Sequence, residues 1–309
     1  VMIWSIDKRE VEMLSEYHEQ KEKLPGVKLA ASVLVTNDME EAVKGRSLLV
    51  MAVPSPFVRT TARALAAFYQ DGQIIVNVAK GIEEATLMTM TEIIEQEIPG
   101  AKVAVLSGPS HAEEVGRSIP TTIVAGAKEK VIANEIQDVF MNEVFRVYTS
   151  PDVTGIELGG SVKNVIALAA GVIDGLGYGD NTKAALMTRG IAELMRLANA
   201  MGGKLETIAG LAGIGDLIVT CTSNHSRNHN AGYLIGQGKT YQEAMDEVKM
   251  VVEGVYSAKA AKALAEKYNV SMPIVEAVNQ VLFEGVNAKE ATKALLNRER
   301  TMESEDMDW

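Results

Sequence analysis

Residues 155–176 read GIELGGSVKNVIALAAGVIDGL, apolar on nearly every side and studded with Gly and Ala. That pattern belongs to a helix packed at the centre of a domain. Lys163 and Asn164 interrupt it. A lysine held there loses its hydration, which disfavours the charged form and draws its pKa towards neutrality, where it can serve as a general acid or base. The plainer alternative is a stem that snorkels its ammonium to solvent. Asn164, a second polar group beside it, favours the functional reading.

A second group of reactive types lies in residues 213–228, GIGDLIVTCTSNHSRN. Arg227 has the fork geometry that grips a phosphate, and Ser226 and Asn228 flank it with further donors. Asp216 can hydrogen-bond a lysine or a substrate hydroxyl, although by spacing alone it could equally cap a helix. His225 and His229 have helical i, i+4 spacing, yet no acid or cysteine pattern accompanies them, so no metal is expected. Cys221 has no adjacent base and reads as a buried, inert thiol. Gly175-Leu-Gly-Tyr-Gly179 follows a helix instead of a strand and reads as a stop and turn.

The elements that must position these groups divide the chain in two. Residues 1–149 alternate short apolar runs at 1–4, 47–53, 73–78, 103–106, 121–125 and 145–148 with amphipathic stretches such as 57–68 and 86–97. This predicts βαβ units around a doubly wound parallel sheet with strands buried on both faces. In residues 150–309 strand signals vanish and capped helices take over, as with the Thr240–Glu243 capping box, a helix starting at Ser257, and Pro273 opening another. The acidic tail 303–308 is expected to be disordered.

In such sheets ligands bind beyond the carboxyl ends of the strands. Lys80 directly follows a strand, so its ammonium either points into that crevice or sits on an ordinary surface loop. The loop 107–112 offers a hydroxyl, Ser110, and free backbone N–H groups at a helix start, a combination that binds anions; a plain turn is the alternative.

The charge balance, 30 Lys and Arg against 41 Asp and Glu, gives −11, which argues against nucleic acid or an anionic membrane surface as partner. Any anionic substrate then needs a local basic cluster. The single cysteine rules out an internal disulfide and suits a reducing cytoplasm. The longest apolar run is too short for a membrane span.

In order and over essentially the whole chain, VAKGIE, LSGPSHAEE, GGSVKNVIALAAG and GIGDLIVTCTSNHSRN resemble the bacterial NAD(P)-dependent glycerol-3-phosphate dehydrogenases. The resemblance implies a Rossmann-like domain followed by an all-helical one. It implies hydride transfer between NAD or NADP and a small phosphorylated three-carbon substrate, glycerol 3-phosphate or dihydroxyacetone phosphate. The chain would then be a cytoplasmic homodimer that supplies phospholipid biosynthesis and needs no metal. Lys163 is implied as catalytic acid/base, oriented by Asp216 and Asn164, and Lys80 as a contact to both substrate and nicotinamide. Substrate contacts fall on Gly108, Ser110, Asp216, Ser226, Arg227 and Asn228. Cofactor contacts fall on Ala112, Arg227, Val251 and Glu253.

Two departures from that family pattern carry expectations. The family's opening strand and G-x-G-x-x-G loop precede anything present here, so two strands are expected to lack a neighbour, and the 309 residues alone are expected to be unstable or to hold cofactor weakly. After residues 1–4 the family often has a basic residue for the 2′-phosphate of NADP. Ser5-Ile6-Asp7 stands there, with Asp7 suited to an unphosphorylated ribose and Lys8, Arg9 or Lys23 able to serve NADP. A hydroxyacid dehydrogenase of similar plan and a non-catalytic nucleotide sensor are the competing readings.

Overall fold

The computed structural model describes all residues except 301 and 304–309. Most of the predicted acidic tail therefore lies outside the described residues. The first half runs β1 (Met2–Trp4), α1 (Lys8–Tyr17), β2 (Leu34–Thr36), α2 (Met39–Val43), β3 (Leu48–Met51), α3 (Val58–Ala66) and β4 (Ile74–Asn77). It continues with α4 (Met90–Glu97), β5 (Lys102–Ser107), α5 (Ala112–Val115), β6 (Thr121–Ala127), α6 (Lys130–Phe140) and β7 (Phe145–Ser150). Every later element is helical. These are α7 (Val153–Gly175), α8 (Asp180–Ala200), α9 (Leu205–Ile208), α10 (Asp216–Thr222), α11 (Arg227–Gly236), α12 (Tyr241–Val248), α13 (Glu253–Lys267), α14 (Pro273–Phe283) and α15 (Ala288–Leu296).

The strands form two sheets. A two-stranded parallel pair holds β1 and β2, and a five-stranded sheet has the order β3-β4-β5-β6-β7. β1 and β3 do not pair with each other. Three expectations need correcting. β2 was not foreseen, because three residues offer no period to read. β6 runs antiparallel to β5, so the sheet is mixed. Burial on both faces holds for β4 and nearly for β5, whereas β7 buries only Val147 deeply and β3 leaves Val50 exposed.

α7 is the axis of the second half. Its 23 residues are long and apolar enough to cross a bilayer by length alone, yet the whole apolar window is buried against the helices around it. Glycines permit this packing. A Cβ on Gly171 or Gly232 would overlap backbone across the α7–α11 contact, and one on Gly159 would lie 2.5 Å from the Ala212 carbonyl oxygen. Leu158, Val165, Ile166 and Leu168 of α7 join Leu194, Leu197, Leu217 and Leu264 in one core cluster. The Thr240–Glu243 capping box and Pro273 at the start of α14 are present. The helix expected from Ser257 begins earlier, at Glu253, and buries Ser257 inside it.

Candidate active site

The site forms where the carboxyl ends of β4 and β5 meet α7, α10 and α11. Before α10, residues Leu211–Gly215 wind as a single π-turn, a local widening often found at functional positions. Gly213 permits it, since any Cβ there would overlap the Ile208 backbone. The turn delivers Asp216 to the face of α7, where its carboxylate is 1% exposed.

Lys163 Nζ donates to Asp216 Oδ1 at 2.5 Å and to Thr220 Oγ1 at 2.7 Å. Lys80 Nζ donates to the other oxygen, Oδ2, at 2.6 Å and to the Gly108 carbonyl at 3.1 Å. Asp216 is thus a lysine partner and not a helix cap, and Lys80 points into the crevice and not onto the surface. Burial draws Lys163 down from 10.5 to about 7; Asp216 opposes that pull and Lys80 adds to it. Burial would raise Asp216, but the two ammonium groups outweigh it and hold the carboxyl below its ordinary 3.8. The cluster can therefore keep a fixed anion beside an amine poised to exchange a proton near neutral pH.

Consecutive helix residues point about 100° apart, as the 3.6-residue turn requires. Lys163 accordingly faces α10 while Asn164 faces α11. Asn164 Oδ1 accepts from Asn228 Nδ2 at 2.9 Å, and Asn228 Oδ1 accepts from Gly254 N at 2.8 Å. The expected orientation of Lys163 by Asn164 is thus corrected: the second partner of its ammonium is Thr220, four residues after Asp216 on α10. Sequence reasoning missed Thr220, although the i, i+4 spacing from Asp216 was available.

Ser226 caps α11, its Oγ accepting from His229 N at 3.2 Å, and Arg227 opens that helix with its side chain exposed. Among the described residues the Arg227 guanidinium makes one hydrogen bond, to the Val251 carbonyl at 3.1 Å. Ser110 Oγ donates to the Gly108 carbonyl at 3.0 Å, and Gly108 has φ +145°, where a Cβ would crowd Ile123. Ala112 begins α5. His111, not singled out from sequence, sets its ring 6.1 Å from that of His225, tilted by 57°, and so brings this loop against the Arg227 segment. Burial, reinforced by the Lys163 charge, pulls the His111 pKa down.

Glu253 accepts from Ser55 N at 3.1 Å and from Ser55 Oγ at 2.5 Å, which joins the loop after β3 to the first turn of α13. Ser55 itself was unforeseen. Lys23 lies apart from these groups. It pairs with Glu10 at 2.9 Å, and Glu10 also accepts from Ser5 Oγ, which places Lys23 near the carboxyl end of β1. Asp7 caps α1 through Arg9 N, and Ile6 is exposed. Cys221 is fully buried and its thiol is pushed up to about 12 by that burial. His229 Nε2 bonds Asp174 at 2.8 Å.

The two halves of the chain match two family models. Residues 1–133 match the NAD-dependent glycerol-3-phosphate dehydrogenase N-terminus, and residues 152–293 match its C-terminus. A glycerol-3-phosphate dehydrogenase [NAD(P)+] of Agathobacter rectalis is 65% identical over 309 residues, covering 100% of this chain and 92% of that protein. The Bacillus subtilis enzyme of the same name is 49% identical over 310 residues, with 99% and 90% covered. Among solved structures, glycerol-3-phosphate dehydrogenase from Coxiella burnetii superposes with a TM-score of 0.93 at 32% identity, covering 96% of this chain and 91% of that one. The chain belongs to the NAD-dependent glycerol-3-phosphate dehydrogenase family, the NAD(P)-linked oxidoreductases that act on a CH–OH group.

Proposed function

We propose that this chain interconverts dihydroxyacetone phosphate and sn-glycerol 3-phosphate with Lys163 as the proton-exchanging group. The observation that carries the assignment is the pair of lysines, Lys163 and Lys80, sharing the buried Asp216 carboxylate. The residues fit a dinucleotide. The loops after β3 and β4 approach so closely that Gly81 has no room for a Cβ beside Ser55, and Arg227 keeps most of its donors free beside Val251. When bound, the nicotinamide supplies the hydride to C2 or removes it.

In the reducing direction Lys163 gives a proton to the C2 oxygen, and in the oxidising direction it takes the proton back. Asp216 holds the ammonium in place in both directions. Lys80 polarises the same oxygen from the sheet side, near the Gly108 carbonyl and Ser110. Arg227 takes the phosphate with the Ser226 hydroxyl and the first amides of α11, where the helix end favours an anion. Asn228, already bonded to Asn164 and Gly254, fixes the entry of α11 and has one amide hydrogen left for a phosphate oxygen. Ala112 at the start of α5, the Val251 carbonyl and Glu253 border the nicotinamide side, and Lys23 lies where an adenosine ribose or its 2′-phosphate would meet the end of β1.

Supply of glycerophospholipid synthesis in the cytoplasm and assembly as a homodimer follow from the family resemblance. Sedimentation analysis tests the assembly. Steady-state assays with dihydroxyacetone phosphate, and with a 3-hydroxyacid substrate as control, test the activity; turnover of the hydroxyacid alone would overturn the reading.

A further inference from the structure

Glu157 sits on α7 six residues before Lys163, about 9 Å along the helix axis and about 120° around it. It is 5% exposed. Its Oε1 accepts from Thr91 N at 2.9 Å, and its Oε2 accepts from Thr91 Oγ1 at 2.5 Å. Thr91 is the second residue of α4, whose N-cap, Thr89, already has a complete capping box with Glu92. The first turn of α4 is therefore served from its own sequence, and Glu157 arrives as an additional carboxyl from the other half of the chain. Burial pushes it up to about 7 in spite of those hydrogen bonds. A carboxyl so placed, with no cation beside it, is expensive to bury.

What it fastens accounts for its presence. Thr89 forms an antiparallel bridge with Ile82, and Glu83 N donates to the Met88 carbonyl at 2.9 Å. The start of α4 is thereby laced to the Lys80-Gly81-Ile82 segment. α4 buries Met90, Ile93 and Ile94 in a core cluster on the sheet side, whereas Leu158 and Val162 of α7 belong to the helical cluster. The Glu157–Thr91 pair is a polar bridge between two apolar bodies. It ties the loop of one catalytic-site lysine to the helix of the other.

We propose that Glu157 is a positioning residue: through Thr91 it fixes the Lys80 loop against α7, and so sets where Lys80 meets Asp216 and the substrate. This rests on the assignment of Lys80 to substrate made above. A residue of purely structural importance would affect folding without acting through Lys80, and a double-mutant cycle separates the two.

The enzymes to compare are wild type, Glu157→Ala, Glu157→Gln, Lys80→Met and the Glu157→Ala/Lys80→Met double variant, assayed with dihydroxyacetone phosphate and NADH. Glu157→Ala is expected to raise KM on the order of tenfold, the scale of a sub-ångström misplacement, with a smaller change in kcat. Glu157→Gln is expected to stay near wild type, because its amide can accept from Thr91 N and donate to Thr91 Oγ1. In the Lys80→Met background the Glu157→Ala effect is expected to disappear. Equal effects in both backgrounds, or a lowered Tm with unchanged KM, would overturn the proposal while leaving Lys80 in place. An unchanged KM in Lys80→Met would instead overturn the assignment of Lys80 itself, and this inference with it. If Glu157→Ala does not fold, Thr91→Val removes only the hydroxyl partner and carries the same cycle.

Discussion

Lys163 and Lys80 hold opposite oxygens of one carboxylate, Lys163 on Oδ1 and Lys80 on Oδ2 of Asp216. They reach it from different halves of the chain, separated by 83 positions in the numbering but joined through a single acidic group. Two cations beside one anion in a buried site leave a net positive charge, which suits an oxygen that gains negative character as hydride arrives.

Lys163→Met is the direct test of that arrangement. The substitution keeps an apolar stem inside an apolar helix, and Lys80 still neutralises Asp216, so the protein is expected to fold. Turnover of dihydroxyacetone phosphate is expected to fall by about 10² to 10⁴, the usual contribution of a general acid, with little change in KM. Wild-type kcat in this variant would sink the assignment.

Asp216→Asn makes a prediction with a definite sign. Burial holds Lys163 near 7 and Asp216 opposes that depression, so removal of its charge lowers the lysine further. Reduction requires the protonated amine, hence its rate falls as pH rises through this pKa. Oxidation requires the neutral amine, hence its rate falls as pH drops. Profiles of kcat/KM against pH should therefore shift towards acid in both directions. A limb that stays where it is in wild type contradicts the coupling.

Arg227→Ala should weaken substrate binding selectively. A charged hydrogen-bonded contact contributes about 1.5–3 kcal/mol, so KM for dihydroxyacetone phosphate is expected to rise roughly ten- to hundredfold at that magnitude. Unphosphorylated dihydroxyacetone, which has no phosphate to lose, should respond weakly to the same substitution. Equal losses on both compounds would move Arg227 out of the phosphate contact.

The legible parts of this molecule are those in which a residue conflicts with its surroundings. Lys163 stands out because an apolar helix has no other use for an ammonium, and Arg227 because an acidic chain needs a local cation for an anionic ligand. Lys80 and Asp216 were ambiguous one at a time, since position along a chain does not say which way a side chain turns. Thr220, Ser55 and Glu157 were not foreseen because each acts through a partner 57 to 198 positions away or on a face defined only by packing. The direction of β6 was equally hidden: a strand has the same composition whichever way it runs.

The β1–β2 pair supplies a prediction about local stability. It has no hydrogen bonds to the five-stranded sheet, and Met2, Ile3 and Trp4 lie outside the buried core clusters. β4, by contrast, is paired on both sides and wholly buried. Amide hydrogen exchange of these 309 residues should thus be faster at Ile3 and Val35 than at Ile75 and Val76. If the pair sits beside the cofactor as proposed, NADPH should slow the first two selectively. Uniform protection across both sheets would contradict the weak attachment of β1 and β2.

Glu193 predicts how stability depends on pH. It is 1% exposed on α8, and its carboxylate accepts from Ile274 N at 2.7 Å and Val275 N at 3.3 Å, the amides that follow Pro273 in the first turn of α14. Burial outweighs those bonds and raises the group from 4.5 to about 7. Between these two values the folded protein holds a proton that the unfolded chain has lost. The resulting contribution is therefore complete below the unfolded pKa and is lost as pH rises through the folded one. A shift of that size corresponds to about 3 kcal/mol as an upper bound. Glu193→Gln cannot titrate, so its stability relative to wild type should improve by roughly 1–3 kcal/mol between about pH 5 and about pH 8 on the same linkage. Urea midpoints of both proteins across that range measure the difference, and a constant separation would show that the carboxyl keeps its ordinary pKa in the fold.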